Sequence, residues 1–298
     1  MSKQQHPLEN NINNTALIFE GGGMRASYSA GLLSHLLENH LYFDYVAGIS
    51  AGASCGANYL SRDIDRAKRS FVDVVQDPQF GGWRSFLSGE GYFRAEYIYE
   101  KTPQPGGSLP FDYETFARNP ARLRIGAFQM ETGEMTYFTK KDIQTPQDLM
   151  KIVRASSSLP LIMPPARFRD TLYVDGGLSG GIALEIAQRD GFERFFVILT
   201  RPRGYRKPPM KYTGLVKALY RKYPRVAEAM MQRHVHYNRT LNELEALEAD
   251  GKALLVYPDA MPISQKETSY EKLLAAYRLG DEQGKRDLPA WKGFLEKG

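Results

Sequence analysis

From Thr15 onward, short apolar runs alternate with stretches in which apolar residues recur at helical spacing. The first two apolar runs are ALIF (16–19) and YVAGI (45–49). Five more strand-like runs follow, namely RLRIGAF (122–128), EMTYF (134–138), TLYV (171–174), RFFVIL (194–199) and ALLVY (253–257). Strands that alternate with helices are typical of βαβ units. The pattern therefore predicts an α/β fold with a largely parallel sheet.

Each of the first two predicted strands is followed by a tight turn and a helix. The first turn is a glycine run (21–23), after which a helical pattern extends to about Asn39, and small residues from 51 to 59 favour the second helix. The glycine run also fits the dinucleotide fingerprint Gly-x-Gly-x-x-Ala, which would end at Ala26. That motif needs an acid about 20 residues further on, at the end of the second strand. Because this chain has Ser50 there, we disfavour a dinucleotide site.

The chain divides by pattern into three parts. Residues 1–14 are polar and predicted to be a mobile tail. Residues 15–257 carry the alternating strands and helices and are predicted to be the catalytic domain, and residues 258–298 are predicted to form a helical C-terminal extension. Within the domain, residues 77–110 are rich in Gly, Pro and aromatic residues. Such a long segment is often a lid or a binding loop.

Composition indicates an ordinary folded, soluble protein. The 298 residues are 42% hydrophobic and 24% charged, with a net charge of +5. The single cysteine, Cys55, excludes an intramolecular disulfide and a multi-thiolate metal site, and it is predicted to be a core residue. The N-terminus lacks the apolar segment of a secretory signal, and no apolar run has the roughly 20 residues that cross a bilayer. We therefore expect a cytoplasmic protein, with any membrane contact peripheral to the inner face.

The second turn contains a candidate nucleophile in the sequence Gly48-Ile49-Ser50-Ala51-Gly52. G-x-S-x-G forms a nucleophile elbow where a strand turns sharply into a helix, because glycines permit the strained backbone that exposes the serine hydroxyl. The alternative is a glycine-rich turn in which Ser50 only caps the helix. A candidate base, Asp175, ends the predicted strand 171–174 and precedes two glycines. The alternative for Asp175 is an Asp-Gly turn, but we expect the two residues to meet where the carboxyl ends of parallel strands gather.

In this order, the three motifs resemble those of the patatin-like phospholipases. The family has a glycine-rich oxyanion loop ending in x-Arg, a G-x-S-x-G elbow, and a D-G-G or D-G-A aspartate. Here the motifs are Gly21-Gly22-Gly23-Met24-Arg25, the elbow at Ser50, and Asp175-Gly176-Gly177, and the resemblance spans roughly residues 15–200, including SSSLPLIMPP (156–165). The chain departs from the family at Ala26, usually Gly, and at Ser179-Gly180-Gly181, where Asn-x-Pro often follows the aspartate.

The resemblance implies a three-layer α/β sandwich with a mostly parallel central sheet. It also implies a catalytic dyad in which Asp175 accepts the proton of Ser50, while the N–H groups of Gly21, Gly22 and Gly23 bind the oxyanion. No metal or organic cofactor is required by that chemistry. Because an aspartate near its reference pKa is a weak base toward an alcohol, Asp175 must be helped by burial or pre-organisation. For Arg25 we favour a role in fixing the loop over pairing with a lipid phosphate.

A Ser, Asp, His triad of the α/β-hydrolase kind is the rival arrangement. Only His234 and His236 follow Asp175 in the chain. On the helix predicted after Pro224, His234 lies at the edge of the apolar face and His236 points away from it, so we disfavour a catalytic histidine.

Residues 201–225 contain nine Lys or Arg and no acid. In the helical part of this segment, one side carries Tyr212, Leu215, Val216, Leu219 and Tyr220, and the other carries Lys211, Lys217, Arg221 and Lys222. Such a helix can dock on an anionic membrane, or it can cover the sheet with a solvated charged face. No nucleic-acid-binding module accompanies the segment, so nucleic acid is not an expected partner.

These observations predict a serine-dependent lipid acyl hydrolase of the phospholipase A or lysophospholipase type, acting on phospholipid or another acyl ester. One alternative is a general carboxylesterase or thioesterase acting on soluble acyl compounds. The other is a lipid-binding or regulatory protein that keeps the fold without turnover.

Overall fold

The computed structural model of the protein describes residues 8–297. In this part of the chain, eight strands form one mixed sheet. They are β1 (Thr15–Phe19), β2 (Tyr45–Ile49), β3 (Arg122–Gln129), β4 (Met135–Phe138), β5 (Ala166–Phe168), β6 (Thr171–Asp175), β7 (Arg194–Ile198) and β8 (Ala253–Val256). Their order is β5-β6-β3-β2-β1-β7-β8, and β4 also pairs with β3.

The central part of the sheet is parallel. Strands β3, β2, β1, β7 and β8 run in the same direction, whereas β4 and β6 are antiparallel to β3 and β5 is antiparallel to β6. Helices cover both faces of the sheet. The predicted three-layer α/β fold with a mostly parallel central sheet is therefore confirmed.

The helices of the described residues lie between the strands in the predicted alternation. They are α1 (Ala26–Glu38), α2 (Ala51–Leu60), α3 (Ile64–Phe71), α4 (Trp83–Leu87), α5 (Tyr113–Arg118), α6 (Pro146–Ser157), α7 (Leu184–Arg189), α8 (Thr213–Leu219), α9 (Pro224–Ala249) and α10 (Tyr270–Glu296). Helices α1, α2, α6 and α10 contribute to the core on one face of the sheet, and α7 and α9 to the core on the other.

The side-chain period of a strand divides β1 between these two cores. Leu17 and Phe19 pack in the core beneath α1 and α2, while Ala16 and Ile18 pack in the core beneath α7 and α9. All five residues of β1 are buried. The continuous apolar run ALIF is therefore the sequence signature of a central strand covered on both faces.

Seven of the eight strands coincide with predicted apolar runs, and β5 was missed. It has three residues, lies at the edge of the sheet, and directly follows Pro164 and Pro165. A short edge strand next to prolines gives almost no periodic signal. The predicted loop segment 77–110 contains α4 and a π-helix at Tyr97–Lys101.

Both ends of the described chain contact the domain. Of the tail predicted to be mobile, residues 1–7 lie outside the described residues, and Ile12 forms a β-bridge with Phe43. In the predicted C-terminal extension, α10 packs along α1, and Trp291 contacts the Phe196 ring edge-to-face at 5.4 Å between centroids. The three-part division of the chain itself stays a prediction.

Helix α8 leaves most of its predicted apolar side exposed. Of the five residues expected on one apolar side, Val216 is buried, but Tyr212, Leu215 and Leu219 are 81%, 62% and 60% exposed. The helix has only seven residues, and it is anchored to the surface of the domain by the turn that buries Val216. The side chains of these three residues are therefore left facing solvent.

Candidate active site

Ser50 lies at the sharp turn between β2 and α2. Its backbone has φ 58° and ψ −128°, a conformation that costs a residue with a side chain on the order of 1–3 kcal/mol. Gly48 and Gly52 make the turn possible, because a Cβ atom added to Gly48 would collide with the carbonyl oxygen of Gly52. The predicted strained backbone is thus present, and it holds the serine at the start of a helix.

Ser50 and Asp175 are joined by a hydrogen bond. Ser50 Oγ donates to Asp175 Oδ2 at 2.5 Å, and the N–H of Gly177 donates to Asp175 Oδ1 at 2.6 Å. Both residues are buried, with 6% and 1% of their surface exposed. The carboxylate therefore accepts a hydrogen bond on each oxygen, and Oδ2 is the oxygen that faces the serine hydroxyl.

The environment of Asp175 makes it a stronger base than an ordinary aspartate. Burial raises the pKa of its carboxyl above the usual value, and the positive charge of Arg233 and the hydrogen bond from Ser50 oppose part of that rise. A raised pKa brings a carboxylate closer to the alcohol from which it must take a proton. Burial thus gives the Asp175 carboxylate the increased basicity that proton transfer from a serine requires.

The sheet register, rather than a common strand direction, brings the two residues together. Ile49 of β2 pairs with Gly126 of β3, and the next β3 residue, Ala127, pairs with Asp175. The pair meets beside the carboxyl ends of β2 and β3, but the expectation that Asp175 ends a parallel strand was wrong, because β6 is antiparallel to β3. Ser50 and Asp175 are adjacent because β3 extends beyond the end of β2, and the last residues of β3 pair with β6.

The glycine loop that follows β1 lies against Ser50. A Cβ atom added to Gly21 would be 2.8 Å from the Ile49 carbonyl oxygen and 3.1 Å from Ser50 Cβ. The N–H of Gly21 already donates to the carbonyl oxygen of Gly181 at 3.0 Å. Within residues 8–297, no acceptor is found for the N–H groups of Gly22 and Gly23. Of the three predicted oxyanion donors, Gly21 is therefore occupied and the other two are available.

Ser156, which the sequence analysis did not single out, anchors the elbow. Its Oγ accepts the N–H of Ser50 at 2.8 Å and donates to the carbonyl oxygen of Gly126 at 2.6 Å. Ser156 is fully buried at the end of α6. The three consecutive serines before Leu159 could have indicated a residue that hydrogen-bonds to the elbow, but the sequence does not show which of the three faces it.

The other residues considered from the sequence have clear positions. Arg25 is 5% exposed, and its Nε donates to the Thr200 carbonyl oxygen at 3.1 Å, which ties the glycine loop to the end of β7. Cys55 is buried in the core, as predicted, and burial raises the pKa of its thiol. His234 Nδ1 contacts the Met231 carbonyl oxygen, and in the described chain neither His234 nor His236 hydrogen-bonds to the serine-aspartate pair.

A narrow apolar cavity of about 80 Å³ leads away from Ser50. Its lining comes from α2, α3 and the turn after it, α6 and the segment 77–110, and its apolar side chains include Phe71, Val74, Phe80, Phe93, Met150 and Val153. A cavity that begins at a serine hydroxyl and continues between hydrocarbon side chains fits the acyl part of an ester. The aromatic-rich segment 77–110 thus forms one wall of that cavity.

Sequence comparison decides the family. The sequence model for patatin-like phospholipase matches residues 17–187, which include the glycine loop, Ser50 and Asp175. This chain belongs to the patatin-like phospholipase family. A second model, for a domain of unknown function (DUF6363), matches residues 223–296 and thus covers α9, β8 and α10.

Individual relatives of this family member are distant in sequence. The uncharacterized protein YjjU of Escherichia coli (strain K12) is 26% identical over 192 residues, which cover 63% of this chain and 52% of YjjU. Lysophospholipase NTE1 of Scheffersomyces stipitis is 23% identical over 317 residues, which cover 94% of this chain and 19% of NTE1. This chain therefore spans about half the length of one relative and about a fifth of the other.

A solved structure shares the fold of this family member. The crystal structure of VipD from Legionella pneumophila superposes with a TM-score of 0.51 at 13% identity, and the match covers 100% of this chain and 72% of VipD. In the described part of the chain, no helix combines the length and apolar character needed to cross a membrane. Residues 8–297 also bring no three His, Cys, Asp or Glu side chains together in a group that could hold a metal ion.

Proposed function

We propose that this protein hydrolyses the carboxylic ester bond of lipids through a dyad of Ser50 and Asp175. The observation that carries this proposal is the 2.5 Å hydrogen bond from Ser50 Oγ to the buried Asp175 carboxylate, at a strained turn between strand and helix. Membership of the patatin-like phospholipase family supports the same reaction class.

In the proposed reaction, Asp175 accepts the Ser50 proton as Ser50 Oγ attacks the ester carbonyl carbon. The N–H groups of Gly22 and Gly23 bind the resulting oxyanion, and a backbone donor in such a position is worth about 3–4 kcal/mol in other enzymes. The ester C–O bond then breaks, and the alcohol leaves with the proton from Asp175. Water next gives a proton to Asp175, its oxygen attacks the acyl-serine, and the fatty acid leaves as Ser50 recovers a proton.

We infer that the acyl chain of the substrate occupies the apolar cavity beside Ser50. A cavity lined by Phe, Met and Val side chains favours a hydrocarbon chain over a polar acyl group. Among the relatives, NTE1 is named a lysophospholipase. Both observations favour phospholipids and lysophospholipids over soluble acyl compounds.

We also propose that the exposed side of α8 contacts an anionic membrane surface. Tyr212, Leu215 and Leu219 are exposed there, and Leu161, which is 47% exposed, is tied to this region by its N–H bond to Tyr220 Oη at 3.2 Å. Four basic residues in the same segment form no salt bridge with a described carboxylate, namely Lys211, Lys217, Arg221 and Lys222. Exposed apolar side chains flanked by unpaired cations are typical of a surface that binds the lipid interface.

The experiment compares hydrolysis of a lysophospholipid with that of a water-soluble short-chain ester. Wild type is compared with Ser50→Ala, and Ser61→Ala at the end of α2 is the matched control, because among the described residues its Oγ hydrogen-bonds only to the Asn58 carbonyl oxygen. We expect lipid turnover in wild type and control, and none in Ser50→Ala. Faster turnover of the soluble ester would instead favour a general esterase, and a folded wild type without turnover would favour the lipid-binding alternative.

A further inference from the structure

A second cavity borders the same glycine loop as the acyl cavity. Gly23 and Met24 line the acyl cavity, whereas Arg25 lines the second one. The second cavity has a volume of about 630 Å³ and is also lined by Arg201, Lys207 and Arg233. We call these four residues, Arg25, Arg201, Lys207 and Arg233, the basic cluster.

The basic cluster has more positive charge than the protein neutralises. Within residues 8–297, none of its four members forms a salt bridge, although three other arginines of residues 201–225 do. Glu20 interacts electrostatically with Arg25 and Lys207, and Asp175 interacts with Arg233 and Lys207. Four cations and two carboxylates leave a formal surplus of two positive charges.

Several donors of the basic cluster have no protein acceptor. Arg25 is 95% buried, yet only its Nε has an acceptor among the described residues, so both terminal amino groups remain for a ligand. The Nε atoms of Arg201 and Arg233 are buried without a partner. Because an unpaired buried donor is costly, such a set of donors is typical of a site that is completed by a bound anion.

The titration of Lys207 supports this view. Burial and the charges of Arg233, Arg25 and Arg201 lower the pKa of its amine to about 7, while Glu20 acts in the opposite direction. His234 and the exposed Lys266 also line this cavity. A bound dianion would raise the Lys207 pKa again, because it would add negative charge beside the amine.

The basic cluster lies next to the reacting groups. Arg233 interacts with Asp175, and its Nη2 would be 3.0 Å from a Cβ atom added to Gly177. Arg25 follows Gly23 by two residues, so the cluster begins where the oxyanion donors end. A lipid with its acyl chain in the apolar cavity and its ester at Ser50 would thus place its head group among the four cations.

We propose that the basic cluster binds the phosphate of an acidic lipid head group, and that the preferred substrate class is a monoacylglycerol phosphate, whose phosphate is a monoester. This inference rests on the proposed esterase function. A phosphate monoester brings close to two negative charges, which matches the surplus of two positive charges. A choline head group would be repelled, and the rings of Tyr205 and Tyr237, which could hold a quaternary ammonium, are already contacted by Arg201 and Lys207.

The test uses a pair of variants with the same change of charge. Arg201→Gln with Lys207→Gln removes two members of the basic cluster. Arg203→Gln with Arg206→Gln is the matched control, because these neighbours point to Glu248 and Glu245 of α9 at 2.7 and 2.6 Å. Binding of glycerol 3-phosphate and of inorganic phosphate is measured by calorimetry, which needs no turnover. Hydrolysis of monoacylglycerol phosphate and of the phosphocholine lipid with the same acyl chain is measured in parallel.

We expect wild type and control to bind glycerol 3-phosphate and to prefer monoacylglycerol phosphate by kcat/KM. In the cluster variant, both the binding constant and this preference fall at least about tenfold, since two charge-assisted hydrogen bonds to the phosphate are lost. If the double variant does not fold, Lys207→Gln alone gives the same comparison.

Three results would overturn the proposal. The first is a wild type that binds neither anion, or a cluster variant that binds them as wild type does. The second is phosphate binding that does not compete with lipid hydrolysis, which would assign the site to free phosphate. The third is an unchanged preference between the two lipids. If no ester at all is hydrolysed, the esterase function fails, while calorimetry still decides whether the basic cluster binds phosphate.

Discussion

Ser50 Oγ and Asp175 Oδ2 lie 2.5 Å apart, although 125 residues separate them in the chain. The aspartate contacts the serine directly, and no histidine of the described residues comes between them. The base in this arrangement is a buried carboxylate whose second oxygen is fixed by the Gly177 N–H. Several consequences of that geometry can be measured.

Asp175→Asn should abolish turnover while keeping the fold. An amide cannot accept the serine proton, so kcat/KM should fall at least about 1,000-fold, as removal of a member of a catalytic unit does in other serine hydrolases. His234→Asn with His236→Asn is the control and should keep turnover within a few-fold of wild type. Loss of activity in that control, with the fold intact, would instead support the triad.

The pH dependence of activity should follow the Asp175 carboxyl. Only the ionised carboxylate accepts the proton, so activity rises with pH through the pKa of Asp175, and burial puts that pKa above the ordinary value of 3.8. A pH profile of kcat/KM on an uncharged ester measures this limb. A profile that is already flat from pH 4 upward would contradict the raised pKa.

The raised pKa of Asp175 also means that its ionised carboxylate should lower the free energy of unfolding near neutral pH. The pKa of Asp175 is higher in the folded state than in the unfolded state. Its contribution to the free energy of unfolding is therefore complete below about pH 3.8 and is lost as the pH rises through the folded-state pKa. Asp175→Asn should therefore unfold at a higher temperature than wild type at pH 7, with a difference that shrinks toward pH 4. Each unit between the two pKa values is worth about 1.4 kcal/mol.

Thermal unfolding of both proteins between pH 4 and pH 8 measures this effect. An Asn variant that is less stable than wild type at pH 7 would mean that Arg233 and Ser50 stabilise the carboxylate by more than its burial costs.

Ser156→Ala should reduce activity through the position of Ser50. Without Ser156 Oγ, the N–H of Ser50 loses its acceptor, which costs about 1–3 kcal/mol at a buried site. We expect kcat to fall about 10- to 100-fold with little change in KM, because a small displacement of the nucleophile acts mainly on the chemical step. Ser158→Ala is the control, since within residues 8–297 Ser158 Oγ hydrogen-bonds only to the Arg154 carbonyl oxygen. Equal losses in both variants would mean that Ser156 has only a structural role.

Reversal of charge on α8 and on the two basic residues that follow Tyr220 should weaken membrane binding. Lys217→Glu, Arg221→Glu and Lys222→Glu together replace three exposed cations, each worth about 1 kcal/mol at an anionic surface, so binding to vesicles with anionic lipid should fall at least about 100-fold. The matched control places the same charges at exposed lysines elsewhere, with Lys252→Glu, Lys285→Glu and Lys297→Glu. Unchanged vesicle sedimentation of the α8 variant would refute contact through this helix.

The parts of the site that depend on local sequence could be predicted. Glycines around Ser50, between an apolar run and a stretch of small residues, are enough to indicate a sharp turn between strand and helix, and the structure has that turn. The strands with continuous apolar runs were found for the same reason. In both cases the signal lies within a few neighbouring residues.

The remainder depends on contacts between distant segments. The direction of β6 is set by its pairing with β3, so the sequence placed Asp175 beside Ser50 with an incorrect account of how it arrives there. Likewise, the occupied N–H of Gly21 depends on the position of Gly181. The basic cluster draws its four cations from the glycine loop, the segment after β7 and α9, where each looks like an ordinary surface residue.

The most direct measurement is intact-mass labelling with a serine-reactive phosphonate, followed by mapping of the modified peptide. An activated Ser50 predicts one adduct on wild type, located on Ser50, none on Ser50→Ala, and much slower labelling of Asp175→Asn. A folded wild type that stays unlabelled under conditions that label a control hydrolase would contradict the account, as would an adduct on any other serine.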